Sequence, residues 1–246
     1  MRVNRFQFII LKLSIVVLFL NCKVNQSNDE PVLGPIKIDF SLDTIIEKNS
    51  PKNLDLTKHQ LYLDTSRSNE HYDWLQNWEL NSFNNTDYLR DIHKSFAPQK
   101  HDLKFFNRKW VELRKYKDEL VLFGKCNGSE TRYGITDSTI LLIWPLEGDV
   151  QYIERVDYIS QTELKLKIYS GIYDSVEKQW LFQISKTNTP NVYVLMSTIY
   201  QDTNYSLITP ITYVKEFNMI VNHCPNMIVN TRIKFDEIDY SIYLKN

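Results

Sequence analysis

The stretch Leu164-Lys165-Leu166-Lys167-Ile168-Tyr169 decides the fold class. Its apolar residues recur at every second position. In extended backbone Leu164, Leu166 and Ile168 therefore share one face, and the lysines take the other. That period marks a half-buried antiparallel strand. The same alternation runs through Trp180, Phe182 and Ile184, through Val192, Val194 and Met196, and through Ile238, Tyr240, Ile242 and Leu244. Turn chemistry falls between these runs, at Cys126-Asn127-Gly128, Glu147-Gly148-Asp149, Ser170-Gly171 and Thr187-Asn188-Thr189-Pro190-Asn191. Strands spaced by about 8–12 residues without intervening helices predict an antiparallel β barrel or β-sandwich. We place this β domain at residues 101–246.

Upstream the pattern changes. Residues 38–100 read as a partly helical N-terminal arm. Thr86 or Asp87 can cap a helix carrying Tyr88, Leu89, Ile92, His93 and Phe96 on one face, with Pro98 as its stop. A second short helix is expected around Tyr72, Leu75, Trp78 and Leu80. Residues 22–37 are polar and broken by Pro31, Gly34 and Pro35, the composition of a flexible tether.

Composition bounds function more than it names it. The chain has 246 residues, a formal net charge of -1, and only 6 Gly among 43% hydrophobic residues. Collagen, low-complexity disorder and a polytopic membrane protein are excluded, and no basic footprint for nucleic acid exists. The 15 Tyr, 12 Phe and 5 Trp form the conspicuous surplus. Sheets favour aromatics because they pack in cross-strand pairs, so most of the surplus belongs to sheet packing. A barrel of about eight strands can also hold one small ligand. The residues placed to line such a cavity are Trp110, Tyr133, Trp144, Trp180, Phe182, Tyr193 and Tyr200.

The first 21 residues carry an address. Arg2 and Arg5 precede an apolar stretch from Phe6 to Leu20 that is shorter than the roughly 20 residues a stable membrane span needs. A basic front and a short apolar run make a cleaved secretory signal. It stops at Phe19-Leu20-Asn21-Cys22, which resembles a relaxed lipobox of the bacterial lipoproteins, with Phe19 and Asn21 in place of the usual Leu and small residue. The resemblance implies cleavage before Cys22, lipidation of its sulfur, and attachment to the cell envelope, expected at the outer membrane. Cleavage removes Arg2, Arg5 and Lys12 and leaves a net charge of about −4, an ordinary solvated surface. The membrane is thus contacted through acyl chains.

A second resemblance covers residues 86–200. Phe105-Phe106-Asn107-Arg108-Lys109-Trp110 follows the expected helix and is similar to the opening of lipocalin-like barrels, in which a first strand carries an early Trp that closes one end. Arg108 stands where that family has a Gly. The resemblance implies a barrel carrier or sensor for a small apolar or aromatic ligand.

Sites of other kinds find less support. With Cys22 lipidated, Cys126 and Cys224 remain as either a disulfide or two buried thiols. The five His residues fall in none of the metal-ligand spacings, and Cys224 beside His223 lacks further ligands. Glu147/Asp149 and Asp236/Glu237/Asp239 read as solvated turn acids, since glycosidase carboxylates must flank a bond about 5–10 Å apart. Asp137-Ser138 lacks a nucleophile elbow. The expectation is a non-catalytic protein without metal or cofactor, binding a small apolar ligand or docking an envelope protein or glycan.

Overall fold

The computed structural model describes residues 46–48, 57, 59–80, 97–103, 106–124, 130–144, 147–169, 180–199, 202–224 and 233–244, all within one unit, Leu42–Asn246. The signal segment, Cys22, the tether, the expected helix after Thr86, Cys126 and Tyr200 lie outside the described residues.

Alternating sequences become alternating burial. In β8 (Glu163–Ile168) Leu164, Leu166 and Ile168 are buried while Glu163, Lys165 and Lys167 are not. The neighbouring β9 (Trp180–Lys186) pairs with it antiparallel, Leu164 opposite Ile184 and Leu166 opposite Phe182. The sheet continues through β7 (Glu147–Ile159), β6 (Thr139–Trp144) and β5 (Arg132–Ile135) on one side. On the other side follow β10 (Tyr193–Ile199) and β11 (Asp202–Pro210). One strand joins the two margins. β3 (Lys109–Tyr116) pairs antiparallel with β11, Trp110 opposite Pro210, and with β5, Trp110 opposite Tyr133. The result is a closed antiparallel barrel of eight strands, as expected for one of the two architectures, and it leaves no free edge.

β3 is longer than the barrel needs. From Arg114 onward it pairs instead with β4 (Glu119–Gly124) across a two-residue hairpin turn. Lys117 and Asp118 both take positive φ there, 47° and 64°, the left-handed pair that suits the twist of a tight hairpin. β4 then pairs parallel with β12 (Asn218–His223), which pairs antiparallel with β2 (Gln60–Asp64), and β2 pairs parallel with β1 (Ile46–Lys48). The arm expected to be partly helical therefore also supplies two strands to a second sheet. Its short helix does form, as α1 (Glu70–Asn77). Buried Asp64 organises the entry to that helix: its carboxylate accepts the backbone N–H groups of Ser66, Arg67 and Asn69, and Asn69 caps α1 by accepting from His71 N at 2.9 Å.

Two apolar layers result. Inside the barrel Trp110, Tyr133, Ile140, Ile153, Leu164, Phe182, Ile184, Leu195 and Ile208 form one cluster. Outside it the opposite faces of β3, β10 and β11 present Val111, Leu113, Val194 and Leu207 to Tyr72 and Leu75 of α1 and to Met219 and Val221 of β12. Gly134 lets the segment that follows α1 come close: a Cβ there would lie 2.5 Å from Leu80 Cδ2.

Two expectations are corrected. Glu147-Gly148-Asp149, read as a turn, begins β7, where Glu147 pairs with Trp144 and Asp149 with Leu142. β6 and β7 instead pair right up to Trp144 and Glu147. The alternating tail Ile238–Leu244 is no strand. Asp239 accepts from Ser241 N at 3.0 Å and initiates a 3-10 turn over Tyr240–Ile242. A closed barrel has no edge for that tail to extend, and a local side-chain bond takes over the backbone.

Candidate functional site

Two turns and the C-terminal 3-10 segment meet near one end of the β8–β9 pair. Between β7 and β8 the Ser160 hydroxyl accepts from Thr162 N at 3.2 Å and Glu163 N at 3.0 Å. Between β9 and β10 the buried Thr187 hydroxyl donates to Val192 O at 2.9 Å, and Asn191 turns the chain with φ 57°. Such Ser and Thr bonds replace the ladder where the strands stop. Lys186 N donates to Thr162 O at 2.8 Å and holds the two turns together.

A cavity of about 360 Å³ opens at this place. Its wall is the outward face of the two strands, where Glu163, Gln183 and Ser185 lie side by side. Gln183 Nε2 donates to Glu163 Oε1 at 2.9 Å and to Ser185 Oγ at 3.0 Å, and Lys165 Nζ lies 3.0 Å from the same carboxylate oxygen. Thr162, Lys186 and Asn188 add polar groups at the rim, and the Tyr243 ring and Leu244 close the remaining side. The network holds the wall side chains in place before anything binds, which lowers the ordering cost of recognition. Planar amide and carboxylate groups and hydroxyls, with a tyrosine at the margin, together suit a ligand that carries many hydroxyls.

The aromatics named from sequence take another place. Trp110 is 0% exposed, donates from Nε1 to Asn107 O at 2.9 Å, and meets Phe106 at 5.5 Å and Tyr193 at 4.8 Å between ring centroids. Tyr133, Phe182 and Tyr193 belong to the same buried cluster, with Trp180 packed against it. The Trp144 side chain and Tyr200 lie outside the described residues. Burial pushes the Tyr133 phenol well up; the nearby Glu112 carboxylate adds to this, while a hydrogen bond with Ser206 opposes it. Glu112 is itself paired, accepting from Arg114 Nη2 at 2.8 Å. The structure thus brings these aromatics together in the lumen and leaves none of the described ones in the rim cavity.

The rim residues were not legible as a site. Thr187–Asn191 carries a turn signal, but turns are common and nothing in their spacing marks a binding wall. Two of the acids make structural bonds: Asp236 Oδ2 accepts from Asp118 N at 3.2 Å, a contact far apart in sequence, and Asp239 caps the 3-10 segment. Cys224 is disulfide-bonded, with its partner outside the described residues.

A second polar cluster pins α1 to the barrel wall. The guanidinium of Arg132 sits 3.9 Å from the Trp74 ring centroid and 5.2 Å from that of Trp78, with Lys109 Nζ 5.6 Å from Trp78. Glu130 is 2% exposed and its carboxylate finds no hydrogen-bond donor among the described residues. His71 Nδ1 lies 3.3 Å from Oε1, and the Arg132 guanidinium supplies a compensating charge. Burial lowers the Arg132 pKa, an effect that Glu130 partly offsets.

Comparison with protein-family models, curated proteins and solved structures found no match for this chain.

Proposed function

We propose that this protein is a lipid-anchored, non-catalytic binding protein of the bacterial envelope, and that its rim cavity takes a hydroxyl-rich ligand of the glycan type. One observation carries the reading: the roughly 360 Å³ cavity is walled by a preformed amide, carboxylate and hydroxyl network beside one tyrosine ring. Its size falls in the range of small-ligand sites, about 300–1,000 Å³. The lumen, by contrast, is occupied by a continuous apolar cluster that includes Trp110, Tyr133, Phe182 and Tyr193.

The barrel is lipocalin-like in this reading. β5 to β11 follow one another around it in chain order, and β3 closes it while carrying Trp110 near one end beside Leu103 and Phe106. The anchor is Cys22, with diacylation supplying the two signals that stable attachment requires.

Saturation-transfer NMR with neutral disaccharides tests the site. Transfer is expected to the wild type and to vanish with Gln183→Ala and with Tyr243→Ala, both at the cavity. Equal transfer to all three would remove the reading. A lipid or aromatic molecule retained through native mass spectrometry would move the site into the lumen. For the anchor, labelled fatty acid should enter the wild type and be absent from Cys22→Ala.

A further inference from the structure

The hydrogen-bond pattern of the cavity wall narrows its ligand. Gln183 Nε2 uses both its protons inside the wall, one on Glu163 Oε1 at 2.9 Å and one on Ser185 Oγ at 3.0 Å. Contact with a carboxylate, which only accepts, fixes which end of the amide is nitrogen. The Gln183 oxygen is therefore left as an acceptor. Glu163 Oε1 also faces Lys165 Nζ at 3.0 Å, while no donor meets Oε2 among the described residues. Ser185 Oγ accepts from Gln183, so its own proton is free to donate. Glu163 stands opposite Ser185 in register, on the outward face that Gln183 shares, and all three residues line the cavity. Together they present two acceptors and one donor.

We infer that this wall reads two hydroxyls on neighbouring carbons, the vicinal diol of a neutral sugar. The inference rests on the glycan reading above and names its contact. The readers touch one another, with Ser185 Oγ 3.0 Å from Gln183 Nε2 and that nitrogen 2.9 Å from Glu163 Oε1. The ligand groups they meet must then be neighbours too. One hydroxyl donates to Glu163 Oε2. The next donates to the Gln183 oxygen and accepts the Ser185 proton, which satisfies every free group of the three. Other ligand groups leave a mismatch. A carboxylate or phosphate ester brings acceptors to two acceptors. An ammonium has no acceptor for the Ser185 proton. A trans secondary amide points its N–H and C=O in opposite directions, so it cannot meet Gln183 and Ser185 from one side.

Each contact is modest by itself. Loss of one such bond is expected to weaken binding about fivefold. The two hydroxyls are not equivalent, however. Removing the one that both donates and accepts leaves Gln183 and Ser185 unpaired together, so it should cost more than removing its neighbour.

A deoxy scan of the sugar tests the contact. Cellobiose, lactose and maltose are titrated by calorimetry against the full mature chain, followed by the single-deoxy forms of whichever binds. Loss of affinity is expected at two neighbouring carbons and to be larger at one of them. Ser185→Ala should weaken the parent sugar about fivefold. It should also shrink the larger deoxy penalty and leave the one at the adjacent carbon in place, because only the first hydroxyl shares a bond with Ser185. Losses at carbons that are not neighbours, or at none, overturn the inference and leave the glycan reading standing. Losses from Ser185→Ala and from each deoxy sugar that simply multiply overturn it as well. The scan on the wild type needs no variant, so it decides even where Ser185→Ala fails to fold. Binding of none of the three sugars removes the glycan reading, and this inference with it.

Discussion

Trp110 shows how one residue was legible and yet misplaced in role. Its position after Phe105-Phe106 marks the start of the barrel, and it does stand on the strand that closes the barrel. Its indole is wholly buried with its N–H bonded to Asn107 O, so it supports the core rather than contacting solvent. Trp110→Ala is expected to destabilise by about 3–5 kcal/mol, read as a lowered urea midpoint, because the neighbours Phe106 and Tyr193 lose their stacking partner as well as the buried area. A shift under about 1 kcal/mol would mean that the site collapses freely. Tyr62 makes a second residue-scale case. Burial, with Asp64 nearby, pushes its pKa from 10.0 up to about 12, while a hydrogen bond from Asn69 Nδ2 pulls the other way. The folded state then holds this proton more tightly than the unfolded chain does. Its contribution is intact below pH 10 and falls as pH rises towards 12. The buried phenols of Tyr72 and Tyr133, also raised, have the same sign. Unfolding followed by circular dichroism should set in above about pH 10 and coincide with the appearance of tyrosinate absorbance. Smooth phenol titration in a chain that stays folded would contradict this.

At the scale of elements, period-two patterns located β8 and β9 well, because both faces of those strands have fixed fates: lumen on one side, water on the other. They misled at Ile238–Leu244, where alternation had no partner strand to meet and Asp239 started a 3-10 turn. They also could not tell lumen from outer core. Val194 points to the α1 layer while Leu195 fills the barrel, since β10 is covered on both faces. Nor could any pattern show that β2, far upstream, sits between β12 and β1. Such long-range pairing is set by the whole packed layer. β4 and β12 bear on the cysteines. They run parallel with Gly124 opposite Val221. Cys126 follows the first strand by two residues and Cys224 the second by one. We expect a Cys126–Cys224 disulfide, visible as a crosslinked peptide in non-reducing mass mapping. Closing a loop of roughly 100 residues, it should stabilise by up to about 4–5 kcal/mol, so reduction should lower the urea midpoint. A Cys22–Cys224 peptide would instead argue against lipidation of Cys22.

For the whole molecule the shared strand matters most. β3 belongs to the barrel through Trp110 and to the second sheet through Arg114, and the outer core draws on both. Neither layer keeps its buried faces covered without the other. Tryptophan fluorescence and far-ultraviolet circular dichroism should therefore report one coincident urea transition. Two separated midpoints would show that the barrel stands alone. The candidate cavity was the least legible feature at this scale. Its wall lies on β8 and β9 with the turns at one end of that pair, and the distant tail residues Tyr243 and Leu244 close it, a long-range placement no local pattern encodes.

The single short edge strand has a mechanical meaning. The closed barrel offers no place to grip, and the second sheet is sealed on one side by β3, so among the described strands its margin is β1, three residues long and parallel to β2. Of all the strands, β1 comes first after the segment that would lead to the membrane. If Cys22 is anchored as proposed, tension on the chain would reach the described fold there. The first contact to give would be the three-residue ladder Ile46–Lys48 with Tyr62–Asp64, well away in sequence from the barrel. β1 would act as a mechanical fuse: peeled off, it lengthens the tether and leaves the binding scaffold closed.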